Sequence, residues 1–92
     1  MNNQSLIIFL SFFIFSCNHL GNKNYDNLIK IKKGMKITEV NTIMHNKPKL
    51  IETAFWNDSL FVQYYDSPTG ASDDLEIIFN KDSIVVEIKY GD

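Results

Sequence analysis

Cysteine, arginine and proline are scarce in this 92-residue chain. It has one cysteine and two prolines, and its nine basic residues, all lysines, stand against eleven acidic residues for a formal charge of −2. A single cysteine excludes an intrachain disulfide and a structural zinc site of the usual Cys/His type. Without arginine the chain cannot make bidentate contacts to phosphate or guanine, so we expect no nucleic-acid partner.

The chain also lacks a recognisable catalytic or metal-binding pattern. His45 stands near the predicted end of a helix, where its partial positive charge is favourable, and His19 has no partner nearby in sequence. The segment "DSPTGASDDLE" (66–76) carries acidic residues without EF-hand spacing, so we interpret it as a solvated loop, with a weak calcium site as the alternative. We therefore predict a protein that is not an enzyme, with no cofactor, no metal and no small-molecule substrate.

The first sixteen residues differ in composition from the rest of the chain. The run "LIIFLSFFIF" (6–15) has no charge, and as a helix it would span about 15 Å, roughly half of what a transmembrane helix needs. Its length fits the apolar region of a secretory signal, preceded by a short polar "MNNQS" without lysine. The sequence therefore predicts a signal peptide over residues 1–16.

The only cysteine follows this apolar run directly. Ile14-Phe15-Ser16-Cys17 resembles the lipobox of bacterial lipoprotein signals, in which a small residue precedes an obligatory cysteine; Phe15 is bulkier than usual. The resemblance implies cleavage after Ser16 and lipid attachment at Cys17, and more than one acyl chain gives stable membrane anchoring. The alternative is a cytosolic protein with an apolar N-terminal helix and an unused thiol.

Residues 17–24 have one apolar residue beyond the cysteine and no periodicity, which is typical of a flexible tether. They lack the acidic cluster of a surface-export signal, and Asn18 differs from the aspartate that resembles an inner-membrane retention signal. We predict a lipid-anchored protein on the periplasmic side of the outer membrane, with a folded domain at 25–92.

Two short helices are predicted at the start of that domain. The first ends at Gly34, a residue suited to the left-handed position after a helix. The second begins after Thr38 as its N-cap and ends at Asn46, because Pro48 cannot continue it. The apolar stripes of the two helices, spaced i, i+3 and i+4, are Tyr25, Leu28 and Ile29, and then Val40, Ile43 and Met44.

The second half of the chain alternates with period two, which predicts two antiparallel hairpins. Segments 50–56 and 60–65 pair across Asn57-Asp58, with Ile51, Thr53 and Phe55 opposite Tyr64, Val62 and Leu60. In the second hairpin, Leu75, Ile77 and Phe79 face Ile88, Val86 and Ile84, and Glu76 lies opposite Glu87. The predicted fold is α+β: two short helices packed on an antiparallel meander of three to four strands, in two layers.

These registers leave aromatic side chains on the sheet face that points away from the helices. Phe61 and Tyr65 point outward together with Ile78 and Val85, and Trp56 stands at the hairpin end. An aromatic outer face indicates a surface for a partner, and we predict contacts through Trp56, Phe61 and Tyr65. The alternative is that a neighbouring loop or the segment 66–74 covers this face.

Two stretches resemble a known family. "GMKITEV" (34–40) followed by "IMHNKP" (43–48) is similar to the signature of the BamE/SmpA/OmlA lipoproteins, and "FVQYYD" and "LEIIFNKDSIVVEIKY" resemble its later strands. Asn46 and Asp82-Ser83 stand where that family has glycine. The resemblance covers most of residues 28–90 and implies a scaffold or protein-binding role, since the best-known members take part in outer-membrane β-barrel assembly. The matching positions are Gly34, Met35, Val40, Pro48 and Phe79.

The functional hypothesis is therefore a lipid-anchored, non-enzymatic protein that binds an envelope protein at the outer membrane, in β-barrel assembly or envelope maintenance. A related architecture inhibits β-lactamases. The alternative hypothesis is accordingly an inhibitor that binds a periplasmic enzyme through the face of its sheet.

Overall fold

The computed structural model of the chain describes residues 20–91, so the predicted signal peptide and Cys17 lie outside the described residues. Within this range helix α1 occupies residues 20–28 and helix α2 occupies Ile37–Met44. None of the helices in this range has the length and apolar character needed to cross a membrane. The strands are β1 Leu50–Thr53, β2 Phe61–Tyr65, β3 Leu75–Phe79 and β4 Val85–Tyr90.

The four strands form one antiparallel sheet in the order β1-β2-β3-β4. We call the sheet face that packs on the helices the inner face and the opposite one the outer face. The predicted α+β class, with two helices and an antiparallel sheet, is confirmed. The main core lies at the inner face and consists of Leu28, Ile31, Val40, Met44, Tyr65, Leu75, Ile77, Phe79 and Val85.

Helix α1 occupies part of the segment expected to be a tether. Residues 20–24 are helical, and the helix ends at Leu28 and not at Gly34. Leu28 and Ile31 are buried, whereas Ile29 is 56% exposed. Helix α1 is therefore attached to the core at its C-terminal end, through Leu28, and the chain that follows is attached through Ile31.

Asparagine side chains attach α1 to its neighbours. Asn24, which is buried, donates to the backbone carbonyl of Asp66 at 3.1 Å and accepts from the amide of Asn46 at 3.0 Å. Asn27 donates to the carbonyl of Met44 at 3.2 Å, where the last turn of α2 leaves carbonyls without helical partners. These bonds join α1 to α2 and to the loop after β2.

The stretch 34–37, which ends the connection between the helices and includes the first residue of α2, runs alongside the start of β4. The N–H of Gly34 donates to the carbonyl of Val85, and the N–H of Val85 donates to the carbonyl of Met35, both at 2.9 Å. Gly34 has φ of 93°, a conformation that glycine adopts far more readily than other residues. Its role is therefore to turn the chain onto the edge of the sheet.

Helix α2 has the predicted buried stripe but different ends. Its N-cap is Lys36 and not Thr38, and Val40 and Met44 are fully buried. The helix ends at Met44, and His45 has φ of 65°. The positive φ thus falls at His45, one position before Asn46, where the helix was predicted to end.

The pairing of β1 with β2 is shifted by one residue from the prediction. Thr53 lies opposite Phe61 and Ile51 lies opposite Gln63. A one-residue shift exchanges the two faces of a strand. Phe61 and Tyr65 therefore point toward the helices, and the prediction that they point away is wrong.

The pairing of β3 with β4 also differs from the prediction. Glu76 lies opposite Lys89 and not opposite Glu87, so an attractive pair replaces the predicted pair of like charges. The register shifts just before Phe79, which consequently faces Val85. Val85 belongs to the inner core, so its predicted outward position is wrong as well.

Candidate functional site

The structure separates the residues predicted to contact a partner. Trp56 lies in the loop between β1 and β2, residues 54–60, and is 43% exposed. Phe61 stacks on Phe79, with ring centroids 5.0 Å apart and planes at 12°. Tyr65 is 1% exposed, and its hydroxyl donates to the side-chain oxygen of Gln63 at 3.2 Å. Phe61 and Tyr65 are core residues, and of the predicted contacts only Trp56 lies at the surface.

Sequence reasoning missed the most exposed aromatic residue, Phe55. The predicted register placed it inside, opposite Leu60, but its side chain is 95% exposed. It meets Trp56 edge to face, with ring centroids 5.0 Å apart and planes at 84°. Two adjacent aromatic residues before the turn signal "NDS" were the local indication of such a loop.

The loop 54–60 is closed by backbone bonds and by a turn at Asn57. The N–H of Ala54 donates to the carbonyl of Leu60 at 2.9 Å, and the N–H of Leu60 donates to the carbonyl of Asn57 at 3.0 Å. The side-chain oxygen of Asn57 accepts from the N–H of Ser59 at 2.9 Å, as asparagine commonly does in turns. The loop is thus wider than the two-residue turn predicted, and it presents Phe55 and Trp56 at its start.

This loop also covers the outer face of the sheet. Ala54 and Leu60 pack with Val62 and Ile78, two outer-face residues with no exposed surface. The ammonium of Lys89, which projects from the outer face of β4, lies 5.2 Å from the centre of the Trp56 ring, within cation–π range. The alternative prediction, that a neighbouring loop covers the outer face, is therefore the one observed, and this loop is 54–60.

Strand β1 is an outer strand of the sheet, and within residues 20–91 its second edge has no partner strand, so we call it the open edge. All four of its residues are exposed, including Leu50 at 48% and Ile51 at 55%. The helices pack over the remaining strands, whose inner-face residues form the core. Together, residues 50–56 present the apolar side chains of β1 next to the aromatic pair, and we call this stretch the β1 surface.

A depression of about 460 Å³ lies between the end of α2 and β1. Ile51 and Pro48 contribute apolar lining, and His45 and Lys47 contribute nitrogen atoms. We call it the β1 groove. It adjoins the open edge of the sheet on the inner face, because Ile51 points to that face.

The charge of the acidic loop between β2 and β3, residues 66–74, is neutralised in part by a lysine. The ammonium of Lys49 lies 2.8 Å from a carboxylate oxygen of Asp74 and 3.1 Å from one of Asp66. The hydrogen bonds to Asp74 and then Asp66 raise the pKa of Lys49. Residues 20–91 contain no group of three or more side chains placed to hold a metal ion.

His45 shares a second depression, of about 350 Å³, with Asp26 and with two lysines, Lys23 and Lys30. A histidine beside a carboxylate is a common element of acid–base catalysis. The hydrogen bonds found within residues 20–91 include none between His45 and Asp26.

Comparison with protein-family models, with curated proteins and with solved structures found no match to this chain. The resemblance to the BamE/SmpA/OmlA lipoproteins stays a prediction that depends on the residues quoted above.

Proposed function

We propose that this protein is a lipid-anchored, non-enzymatic envelope protein that binds a protein partner at the periplasmic face of the outer membrane. The observation that carries the proposal is the pair of Phe55 and Trp56, which are 95% and 43% exposed. Aromatic side chains are enriched among the residues that dominate interface energies, and large apolar groups exposed together mark contact sites.

The sequence around Cys17 supports the anchor. Helical structure is present from Leu20, so a lipid on Cys17 is attached within three residues of α1. Such a short connection would hold the domain next to the bilayer and raise its effective concentration for membrane-bound partners. Exposed lysines on and after α1 fit a position near anionic head groups, where each contributes about 1 kcal/mol. They are Lys23, Lys30, Lys32 and Lys33.

The family resemblance supports the setting. The α+β class with an antiparallel four-stranded sheet is compatible with it. Because the best-known members of that family are accessory lipoproteins, β-barrel assembly or envelope maintenance is the process we propose for this chain.

A second candidate function is inhibition of a periplasmic enzyme. The observation that favours it is the protrusion of Phe55, whose side chain is 95% exposed and is of a size to enter a cleft. Incubation of the protein with β-lactamases and cell-wall hydrolases separates the two candidates, because only an inhibitor lowers their rates.

Site-specific crosslinking tests the partner surface. A photoreactive residue in place of Phe55, in the full chain expressed in its native envelope, should capture an envelope protein. The Trp56→Ala substitution should reduce that capture at least about tenfold, because truncation of an aromatic anchor has effects of this size or larger.

Ile29→Ala is the matched control, since Ile29 is 56% exposed and lies away from the loop. It should leave the crosslink unchanged. Equal capture by the wild type, Trp56→Ala and Ile29→Ala would contradict the proposed surface.

Detergent phase partitioning tests the anchor. The wild-type protein should enter the detergent phase with an acylated N-terminal cysteine, and Cys17→Ala should remain in the aqueous phase or keep its signal peptide. A native polypeptide that retains Met1 and partitions into water would contradict the lipid anchor.

A further inference from the structure

The open edge of β1 has backbone groups directed away from the sheet. Residues of an antiparallel strand alternate between those bonded to the neighbouring strand and those directed to the other side. The bond from Ala54 to Leu60 sets this alternation, so Leu50 and Glu52 bond to β2. The N–H and C=O groups of Ile51 and Thr53 consequently point to the open edge.

The β1 groove lies where an added strand would direct its side chains. Strand addition supplies main-chain hydrogen bonds, and alternate side chains of the ligand occupy pockets on one face. A ligand residue beside Ile51 would place its side chain in the groove, against Ile51 and Pro48, which are apolar. The groove therefore favours an apolar residue at that position.

The charges of the groove indicate the rest of the ligand. Lys47 and His45 line it, and none of its lining residues is acidic. Lys49 nearby is already paired with Asp66 and Asp74, so it is not available to a ligand. A carboxylate on the ligand, placed near Lys47, would complement the groove.

We propose that β1 binds an extended segment of a partner protein as a fifth strand, with an apolar side chain in the β1 groove and a carboxylate near Lys47. The proposal rests on the proposed function in one respect: both place a protein partner on the β1 surface, the proposed function at Phe55 and Trp56 and this proposal at β1 itself. A second copy of this chain fits less well, because the β1 residues that face the groove side are Ile51 and Thr53 and carry no charge, whereas Glu52 points to the outer face.

A peptide selection tests strand addition. Random twelve-residue peptides displayed on phage are selected against the full chain in mild detergent, and the selected peptides are then titrated against variants. We expect apolar residues at alternate positions and at least one acidic residue.

Binding should fall at least about tenfold in Thr53→Pro, because proline removes an edge donor and is tolerated only where the N–H faces away from the sheet. Thr53→Val, which keeps the N–H, should bind like the wild type.

Two further variants make the test independent of one substitution. Lys47→Gln should weaken the acidic peptides several-fold. Ile51→Glu, at an exposed position, should abolish their binding, and this variant keeps the proposal falsifiable if Thr53→Pro does not fold. Selected peptides without alternation, or peptides that bind Thr53→Pro and the wild type equally, would overturn the proposal.

Sedimentation of the wild type and Thr53→Pro identifies the other occupant. A dimer that Thr53→Pro dissociates would assign the edge to a second copy and would overturn the peptide proposal. The selection uses no membrane and no envelope protein. If the peptide selection fails but crosslinking at Phe55 succeeds, strand addition is rejected and the proposed function stands. If the selection succeeds but crosslinking captures no envelope protein, only the envelope partner is rejected.

Discussion

The two outer strands of the sheet, β4 and β1, differ in how their edges are covered. The start of β4 is bonded to segment 34–37, and at its end Tyr90 meets Tyr25 edge to face, with centroids 6.5 Å apart. Every residue of β1 is exposed, and its edge is unpaired within residues 20–91. The connection between the helices thus covers the start of the β4 edge, whereas no part of the β1 edge is covered within residues 20–91.

Unpaired edges are usually protected against uncontrolled association by short length, lysine and proline. Strand β1 has only four residues, and Lys47, Pro48 and Lys49 precede it. These features limit how far another strand can extend along the edge. They leave Ile51 and the aromatic pair uncovered, which fits recognition of a short segment.

The largest expected difference in stability is between substitutions of Phe61, on the inner face, and of Phe55, in the loop 54–60. Phe61→Ala should lower the free energy of unfolding by about 2–4 kcal/mol, because it removes a partly buried ring stacked on Phe79. Phe55→Ala should change it by less than about 0.5 kcal/mol. Urea unfolding followed by circular dichroism measures both values. Equal effects would show that Phe61 does not contribute to the core as its stacking indicates.

A second contrast compares the outer strands directly. Val85→Ala in β4 should cost about 2–3 kcal/mol, since it removes buried methyl groups and leaves a cavity. Ile51→Ala in β1 removes more carbon atoms and should cost no more than about 0.5 kcal/mol, because the side chain is 55% exposed. The same unfolding measurement applies. A larger loss for Ile51→Ala would mean that the β1 edge is covered in solution.

The smallest loss of stability expected at neutral pH is for a substitution of Tyr65, on the inner face of β2. Tyr65→Phe should cost about 1–2 kcal/mol, because the buried side-chain oxygen of Gln63 loses its donor. Burial raises the pKa of Tyr65 to about 12 from an ordinary value of 10.0. Its stabilising contribution is therefore complete below pH 10 and is lost as the pH rises toward 12. The wild type should lose stability over that interval more steeply than Tyr65→Phe.

Tyr64→Phe is the control for the alkaline titration. Tyr64 lies on the outer face and is half-buried, and burial followed by the charge of Glu76 raises its pKa. Its hydroxyl is closer to solvent than that of Tyr65, so the substitution should change the alkaline slope less. An equal slope change in the two variants would argue against Tyr65 as the main source.

Elements with strong periodicity were predictable from the sequence. The buried stripe of α2, Val40 and Met44, follows from spacing alone, and so does the inner-face position of Leu75, Ile77 and Phe79. The outer face of β3 carries Glu76 and Ile78, and the three apolar residues that alternate with them fall on the inner face as predicted. In α2 and β3 the apolar periodicity of the sequence therefore predicts correctly which residues are buried in the inner core.

The first hairpin was not predictable in the same way. In β2 every residue except Gln63 is apolar or aromatic, so the strand has no polar face that would fix the register. Although Gln63 is polar, it lies buried on the inner face, where its side-chain oxygen accepts a hydrogen bond from the hydroxyl of Tyr65. The register decides which aromatic residues are exposed. The wrong register of the first hairpin therefore placed Phe55 inside, and Phe55 was missed as a candidate site residue.

The ends of the helices depended on distant partners. Asn24 is buried because it bonds to Asp66 and Asn46, residues far away in sequence. The local sequence "NHLGNKN" contains no sign of these contacts, so the segment had the pattern of a tether. Side-chain bonds of this kind become visible only when the sheet and helices are placed together.

Trp56 is the only tryptophan of the chain, and its position over Lys89 has a practical consequence. Its intrinsic fluorescence reports whether the loop rests on the sheet, without any added label. A red shift of the emission at unchanged circular dichroism would signal that the loop has lifted while the strands stay intact, so movement of the loop can be followed optically in the native chain.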